Sequence, residues 1–141
     1  MTRDLAPPAA NSTLEQGSTV LVVEDEVLTR WAVSNYLRGC GYRVLEAATG
    51  EEAQILLRAA GQIDVLFSDV DLGVGMNGFA LATWTRMNYP NVRVILASGT
   101  PRMAASAGDL CEELFLHKPF PPEELVSHIE RLLALQQRGP A

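Results

Sequence analysis

The chain has 141 residues, with 11 basic and 17 acidic side chains, a net charge of −6 and 48% apolar residues. That length suits one domain, and the apolar fraction excludes a disordered chain. The acidic balance excludes broad binding to nucleic acid, which needs a basic face. No apolar run approaches the roughly 18 residues of a membrane span, and no secretory signal opens the chain.

In chain order, residues 1–17 are rich in proline, alanine and small polar residues and read as a flexible N-terminal arm. Residues 18–137 then alternate between two patterns. Short apolar runs occur at Val20 to Val23, Val65 to Phe67 and Val92 to Leu96, with weaker ones at Tyr42 to Leu45 and Leu114 to Leu116. Runs that are apolar on both faces suit parallel strands covered on both sides. Between them lie helical periods: Val33, Tyr36, Leu37 and Cys40; Ala53, Leu56, Leu57 and Ala60; Ala80, Thr83, Trp84 and Met87. Thr49 and Glu52 have capping-box spacing, Asn77 is placed to cap the third helix, and Pro121-Pro122 opens the last one. Leu125, Ile129, Leu132 and Leu133 form the buried stripe of that last helix. The fourth helical slot, Pro101 to Asp109, has almost no apolar stripe and reads as a short or mobile helix. Residues 138–141 form a tail.

Strand starts near 20, 42, 65, 92 and 114 repeat a strand-plus-crossover unit five times. The handedness rule for such crossovers gives an α/β fold: a five-stranded parallel sheet, doubly wound, whose crevice lies at the carboxyl ends of the strands. Trp31 and Trp84 read as core or interface packing, Cys40 and Cys111 as small apolar fillers, and His117 and His128 as surface or satisfied residues. The two widely spaced cysteines suit a reduced, cytoplasmic setting.

Chemistry concentrates at those carboxyl ends. Strand one ends in Glu24-Asp25-Glu26, strand three in Ser68-Asp69-Val70-Asp71, strand four in Ser98-Gly99, and strand five in His117-Lys118-Pro119-Phe120. Two carboxylates about 4 Å apart repel by about 4 kcal/mol at an effective dielectric near 20, so a cluster calls for a proton or a cation. Glu24, Asp25 and Asp69 offer only hard oxygen ligands, which favours Mg²⁺. Lys118 is the only lysine beside ten arginines and adds a compact positive charge. With the Ser98 hydroxyl, this set suits a transferring phosphoryl group, and a carboxylate nucleophile would form an acyl phosphate.

Leu21-Val22-Val23-Glu24-Asp25-Glu26, Ser68-Asp69, Ala97-Ser98-Gly99 and Lys118-Pro119-Phe120, in this order on a fivefold βα repeat, resemble the receiver domain of two-component response regulators. The resemblance covers about residues 18–137 and implies the strand order 2-1-3-4-5. It implies that Asp69 is the phosphoacceptor. Glu24, Asp25 and Asp69 would bind Mg²⁺, with the backbone carbonyl of Asp71 as a further ligand. Ser98 and Lys118 would hold the phosphoryl group, Phe115 would be an aromatic switch, and the Lys118–Pro119 bond would be cis. The donor would be a phosphohistidine on a sensor histidine kinase or a histidine phosphotransfer protein. Output would pass to a downstream protein target, with no nucleic acid and no membrane involved. A homodimer through the face of the fourth and fifth helices belongs to the same expectation, as does a stand-alone receiver that is not a multiple-turnover enzyme.

The chain departs from the family pattern at Gly73, where a proline is usual, in a loop after Asp69 that is one residue longer than common, and in a short stretch between Ser98 and Lys118. Two other readings stand beside the receiver. One is a receiver-like binding module that is never phosphorylated. The other is a Mg²⁺-dependent phosphatase with an aspartyl nucleophile, suggested by Asp69-Val70-Asp71. A nucleic-acid-cutting arrangement of Glu24 with Asp69 and Asp71 is opposed by the net charge and by Lys118-Pro119-Phe120.

Overall fold

The computed structural model describes residues 17–99 and 115–138. The expected fourth helix, Cys111, nearly all of the arm and the tail beyond Arg138 lie outside the described residues. The strands are β1 (Thr19–Val23), β2 (Arg43–Ala47), β3 (Val65–Asp69), β4 (Arg93–Ser98) and β5 (Phe115–His117). The helices are α1 (Val27–Gly39), α2 (Gly50–Ala59), α3 (Gly78–Asn88) and a C-terminal helix, Pro122–Arg138. All strand pairs are parallel and the sheet order is β2-β1-β3-β4-β5, the expected one.

The apolar runs sort by strand alternation into two cores. Val20, Val22, Val65, Phe67, Ile95 and Ala97 face one side, where Leu37 of α1 and Leu125, Ile129, Leu132 and Leu133 of the C-terminal helix cover them. Leu21, Val23, Leu66, Val94 and Leu96 face the other, covered by Ala53 and Leu57 of α2 and by Leu81 and Ala82 of α3. β1 lies between β2 and β3, so the chain leaves it towards one edge and later returns to the other. That reversal opens the crevice at the carboxyl ends of β1 and β3.

The caps form as the sequence indicates. Thr49 Oγ1 accepts from the Glu52 N–H at 3.0 Å, and Glu52 Oε1 reaches back to the Ala48 N–H at 2.7 Å. Asn77 Oδ1 accepts from the Ala80 N–H at 2.9 Å.

Three expectations are corrected. The buried face of α3 is Gly78, Leu81, Ala82 and Thr85; of the expected Ala80, Thr83, Trp84 and Met87 only Trp84 packs against the core, half-buried, and the other three are exposed. The spacing is the same but the face is set two residues earlier, and Met87 is 78% exposed. The cause lies at the helix start: Gly78 lies against the Asp69 carbonyl and Val70 Cα so closely that a Cβ there would collide with backbone. That contact turns Leu81 and Ala82 onto the sheet. Of the two readings of Trp31, core or interface packing, the core one is ruled out, since the side chain is 61% exposed on α1. Cys40 fills no cavity; it is exposed at the end of α1, beyond the stripe that Leu37 and Ser34 bury.

Candidate functional site: an acidic crevice with one lysine

Each side chain of the crevice is delivered by a strand end. Glu24 follows β1 directly, and its N–H donates to the Ala47 carbonyl of β2 at 3.1 Å. Asp69 is the last residue of β3, in register with Ala97 of β4. Ser98 ends β4 and pairs with His117 of β5, and the next N–H, that of Lys118, donates to the Ser98 carbonyl at 2.8 Å. The Lys118–Pro119 peptide bond is cis, as the resemblance implies.

Glu24, Asp25 and Asp69 each place a carboxylate oxygen within 4.8 Å of the other two. Glu24 and Asp69 are 5% and 7% exposed, whereas Asp25 is open to solvent. Lys118 crosses the group: its Nζ lies 3.0 Å from Asp69 Oδ2 and 3.5 Å from Glu24 Oε1. The other oxygen of Glu24 accepts from the Glu26 N–H at 3.2 Å, and Asp69 Oδ1 accepts from the Asp71 N–H at 3.4 Å. One ammonium against three carboxylates leaves an excess of negative charge in a half-buried crevice.

The titration of Glu24 registers its burial first and that excess second. Burial, and then the charge of Asp69, push the Glu24 carboxyl from its ordinary 4.5 up to about 7, against the pull of Lys118 and the Glu26 N–H. Burial alone would lower the Lys118 ammonium. Its hydrogen bond to Asp69 and the charges of Asp69 and Glu24 outweigh that, and its pKa is raised. The site therefore has the electrostatics of a receptor for a further cation. An all-carboxylate set of this spacing fits Mg²⁺, a hard cation that takes oxygen ligands and keeps several waters.

The remaining candidates sit around this centre. Ser98 is buried beside it on β4. Asp71 is exposed, and its carboxylate accepts from the Gly73 N–H at 3.1 Å, a turn that shapes the loop. Phe115 is half-buried on β5 and stacks on Phe79 of α3 at 6.4 Å, with His117 edge-on at 5.9 Å. His128 rests its Nδ1 3.0 Å from the Glu124 carbonyl, away from the crevice chemistry.

Two close contacts of the loop after Asp69 escape sequence reasoning. At Gly73 the backbone φ is +76°, which proline cannot adopt, and a Cβ there would lie 3.1 Å from Asp25 Oδ2. The loop thus passes close to the acidic pair at the position where the family favours proline. Gly75, at φ +92°, passes equally close to Glu51, whose Oε2 accepts from the Met76 N–H at 3.2 Å. A glutamate at the start of α2 thereby fastens the loop that follows Asp69. Its only sequence signal was a first-turn acid, already explained by the helix dipole.

Residues 20–130 match the family model for the response regulator receiver domain. Among curated proteins, the sensor kinase CckA of Brucella abortus is 33% identical over 126 residues, covering 87% of this chain and 13% of CckA. The DNA-binding transcriptional regulator NtrC of Salmonella typhimurium is 31% identical over 124 residues, covering 86% of this chain and 26% of NtrC. The chain therefore spans about a quarter or less of the length of these relatives. Among solved structures, the chemotaxis response regulator CheY4 of Vibrio cholerae superposes with a TM-score of 0.72 at 30% identity, covering 83% of this chain and 99% of CheY4. The receiver domain of the hybrid histidine kinase CckA gives a TM-score of 0.65 at 31% identity, covering 82% of this chain and 99% of that domain. With its five-stranded parallel sheet, its acidic crevice and a family match over residues 20–130, the chain belongs to the response regulator receiver domain family of two-component systems.

Proposed function

We propose that Asp69 accepts a phosphoryl group from a phosphohistidine in a Mg²⁺-dependent reaction, and that the chain then signals through protein contacts. The observation that carries this reading is the meeting of Asp69 with Glu24 and Asp25 on one side and Lys118 on the other. Receiver domains are in general signalling modules rather than multiple-turnover enzymes, which supports a single transfer per cycle.

Glu24, Asp25 and Asp69 would hold Mg²⁺, with the backbone carbonyl of Asp71 as a further ligand. Bound there, the ion supplies positive charge against the carboxylates and the phosphoryl oxygens. The chain does the rest. A carboxylate oxygen of Asp69 forms the new O–P bond as the N–P bond of the donor histidine breaks, and the electron pair returns to the imidazole nitrogen. Lys118, already 3.0 Å from Asp69 Oδ2, shifts its donors to a phosphoryl oxygen. Ser98 turns its hydroxyl to another. The Lys118 N–H is bonded to the Ser98 carbonyl, so the two groups move as one unit at the ends of β4 and β5. Contacts that exist only in the phosphorylated state are what shift the population, and Phe115 on β5 reports that shift to the surface.

The donor is a sensor histidine kinase or a histidine phosphotransfer protein. The receiver unit runs over residues 18–137 and works in the cytoplasm, and the readout is a protein target docked on the C-terminal helix and the face near Phe115. Among the described residues no helix is long and apolar enough to cross a membrane.

The test is transfer from a kinase domain labelled on histidine. The wild-type chain is expected to take up label in Mg²⁺ and to lose it in alkali as an acyl phosphate does, and Asp69→Asn is expected to take up none. Label that persists on Asp69→Asn, or uptake unaffected by EDTA, would refute the reading. Steady release of phosphate from phosphomonoesters would favour the phosphatase instead.

A further inference from the structure

Glu24 stands one residue beyond the end of β1, so its backbone has left the ladder on one side. Its N–H still reaches Ala47 of β2, but its carbonyl is met by a side chain: Arg30 of α1 donates through Nη1 at 2.8 Å. The guanidinium is aimed from behind. Arg30 Nε lies 3.3 Å from Glu46 Oε1, and the second oxygen of Glu46 is held by Arg38 Nη1 at 3.0 Å. Arg38 in turn donates through Nη2 to the Val44 carbonyl at 3.1 Å. Glu46 belongs to β2 and is in register with Val22 of β1, so this bridge is built on the rigid part of the sheet. The Arg30 side chain is mostly buried, so its charge-assisted bond to a carbonyl is worth more than a solvated one.

From this geometry we infer that Arg30, aimed by Glu46, is a positioning residue that fixes the Glu24–Asp25 turn in the conformation that binds a divalent cation. The inference rests on the Mg²⁺ reading of the crevice. A planar guanidinium suits the task because one face of donors takes the Glu46 carboxylate while another reaches the Glu24 carbonyl; a lysine has no such fork. Without Glu46, the guanidinium loses the partner that aims it at the Glu24 carbonyl.

Charge and position make opposite predictions, which is what makes the assignment testable. Arg30 is a positive charge beside a cation site. If it acts by charge alone, its removal tightens Mg²⁺ binding. If it acts by holding the turn, its removal weakens binding by about tenfold, the scale on which partners behind metal ligands act. Mg²⁺ affinity is measured by titration calorimetry on wild type, Arg30→Met, Glu46→Gln and the double variant, with folding checked by circular dichroism. Methionine keeps the apolar stem of the arginine, and Arg30→Gln is the second variant should Arg30→Met fail to fold. The expected result is weaker binding in Arg30→Met, weaker binding in Glu46→Gln, and no additional loss in the double variant, because Glu46 acts through Arg30. Wild-type binding with equal or tighter binding in Arg30→Met overturns the inference and leaves the Mg²⁺ reading standing. Absence of binding by the wild type overturns both.

Discussion

At the scale of single residues, Glu24 and Lys118 are the most informative pair. The folded Glu24 carboxyl titrates near 7 against an ordinary 4.5. Between those values the folded state keeps a proton that the unfolded chain gives up. Raising the pH through this window therefore costs stability, and the whole cost is present above about 7. In metal-free protein, Tm of wild type minus Tm of Glu24→Gln is expected to fall between pH 5.5 and pH 8. Saturating Mg²⁺ binds the ionised form, so it should raise the wild-type Tm more at pH 8 than at pH 5.5. A difference that is flat with pH would show that Glu24 carries no burial cost. Lys118 has the opposite role, since it is the charge that is already paired. Lys118→Ala is expected to keep Mg²⁺ binding while uncoupling phosphorylation from the amide shifts near Phe115, read by NMR with beryllofluoride as an acyl-phosphate mimic. Wild-type shifts in Lys118→Ala would remove it from that role.

At the scale of elements, α3 separates what periodicity can say from what it cannot. Its spacing was readable, and its orientation was not. Gly78 decides which face turns inward by lying on the Asp69 carbonyl, and a contact between backbones leaves no trace in a hydropathy pattern. Leu81→Ala is therefore expected to cost about 3 kcal/mol of unfolding free energy and Met87→Ala under about 0.5, measured by urea denaturation. The reverse order would restore the face centred on Trp84 and Met87. Gly78→Ala should destabilise by about 2 kcal/mol or more, although alanine is the better helix former, because the methyl group meets backbone that cannot yield. A stabilised Gly78→Ala would contradict the close approach of α3 to the end of β3. The capped starts of α2 and α3 were legible because Thr49 and Asn77 act locally, whereas the hold of Glu51 on Met76 spans 25 residues and was not.

For the molecule as a whole, the sheet order was implied by the resemblance, and the two-sided cores follow from apolar runs whose alternate residues face opposite layers. The crevice followed from one topological rule applied to four strand ends. What brought Glu24, Asp69 and Lys118 into contact is the register of β1 with β3, of β3 with β4 and of β4 with β5, and the central strands β1, β3 and β4 hold it because they are buried on both faces. The supporting shell of Arg30 and Glu46 was hidden for the opposite reason: both look like ordinary charged surface in the sequence, and only the adjacency of α1 to β2 makes them partners.

The central claim is that this acidic crevice exists to place one phosphoryl group on Asp69. Intact mass spectrometry after incubation with acetyl phosphate tests it without any partner protein. With Mg²⁺, the wild-type chain is expected to gain the mass of a single phosphoryl group, and to gain none in EDTA or as Asp69→Asn. An unchanged wild-type mass with Mg²⁺ present, or an adduct that survives in Asp69→Asn, would contradict the account.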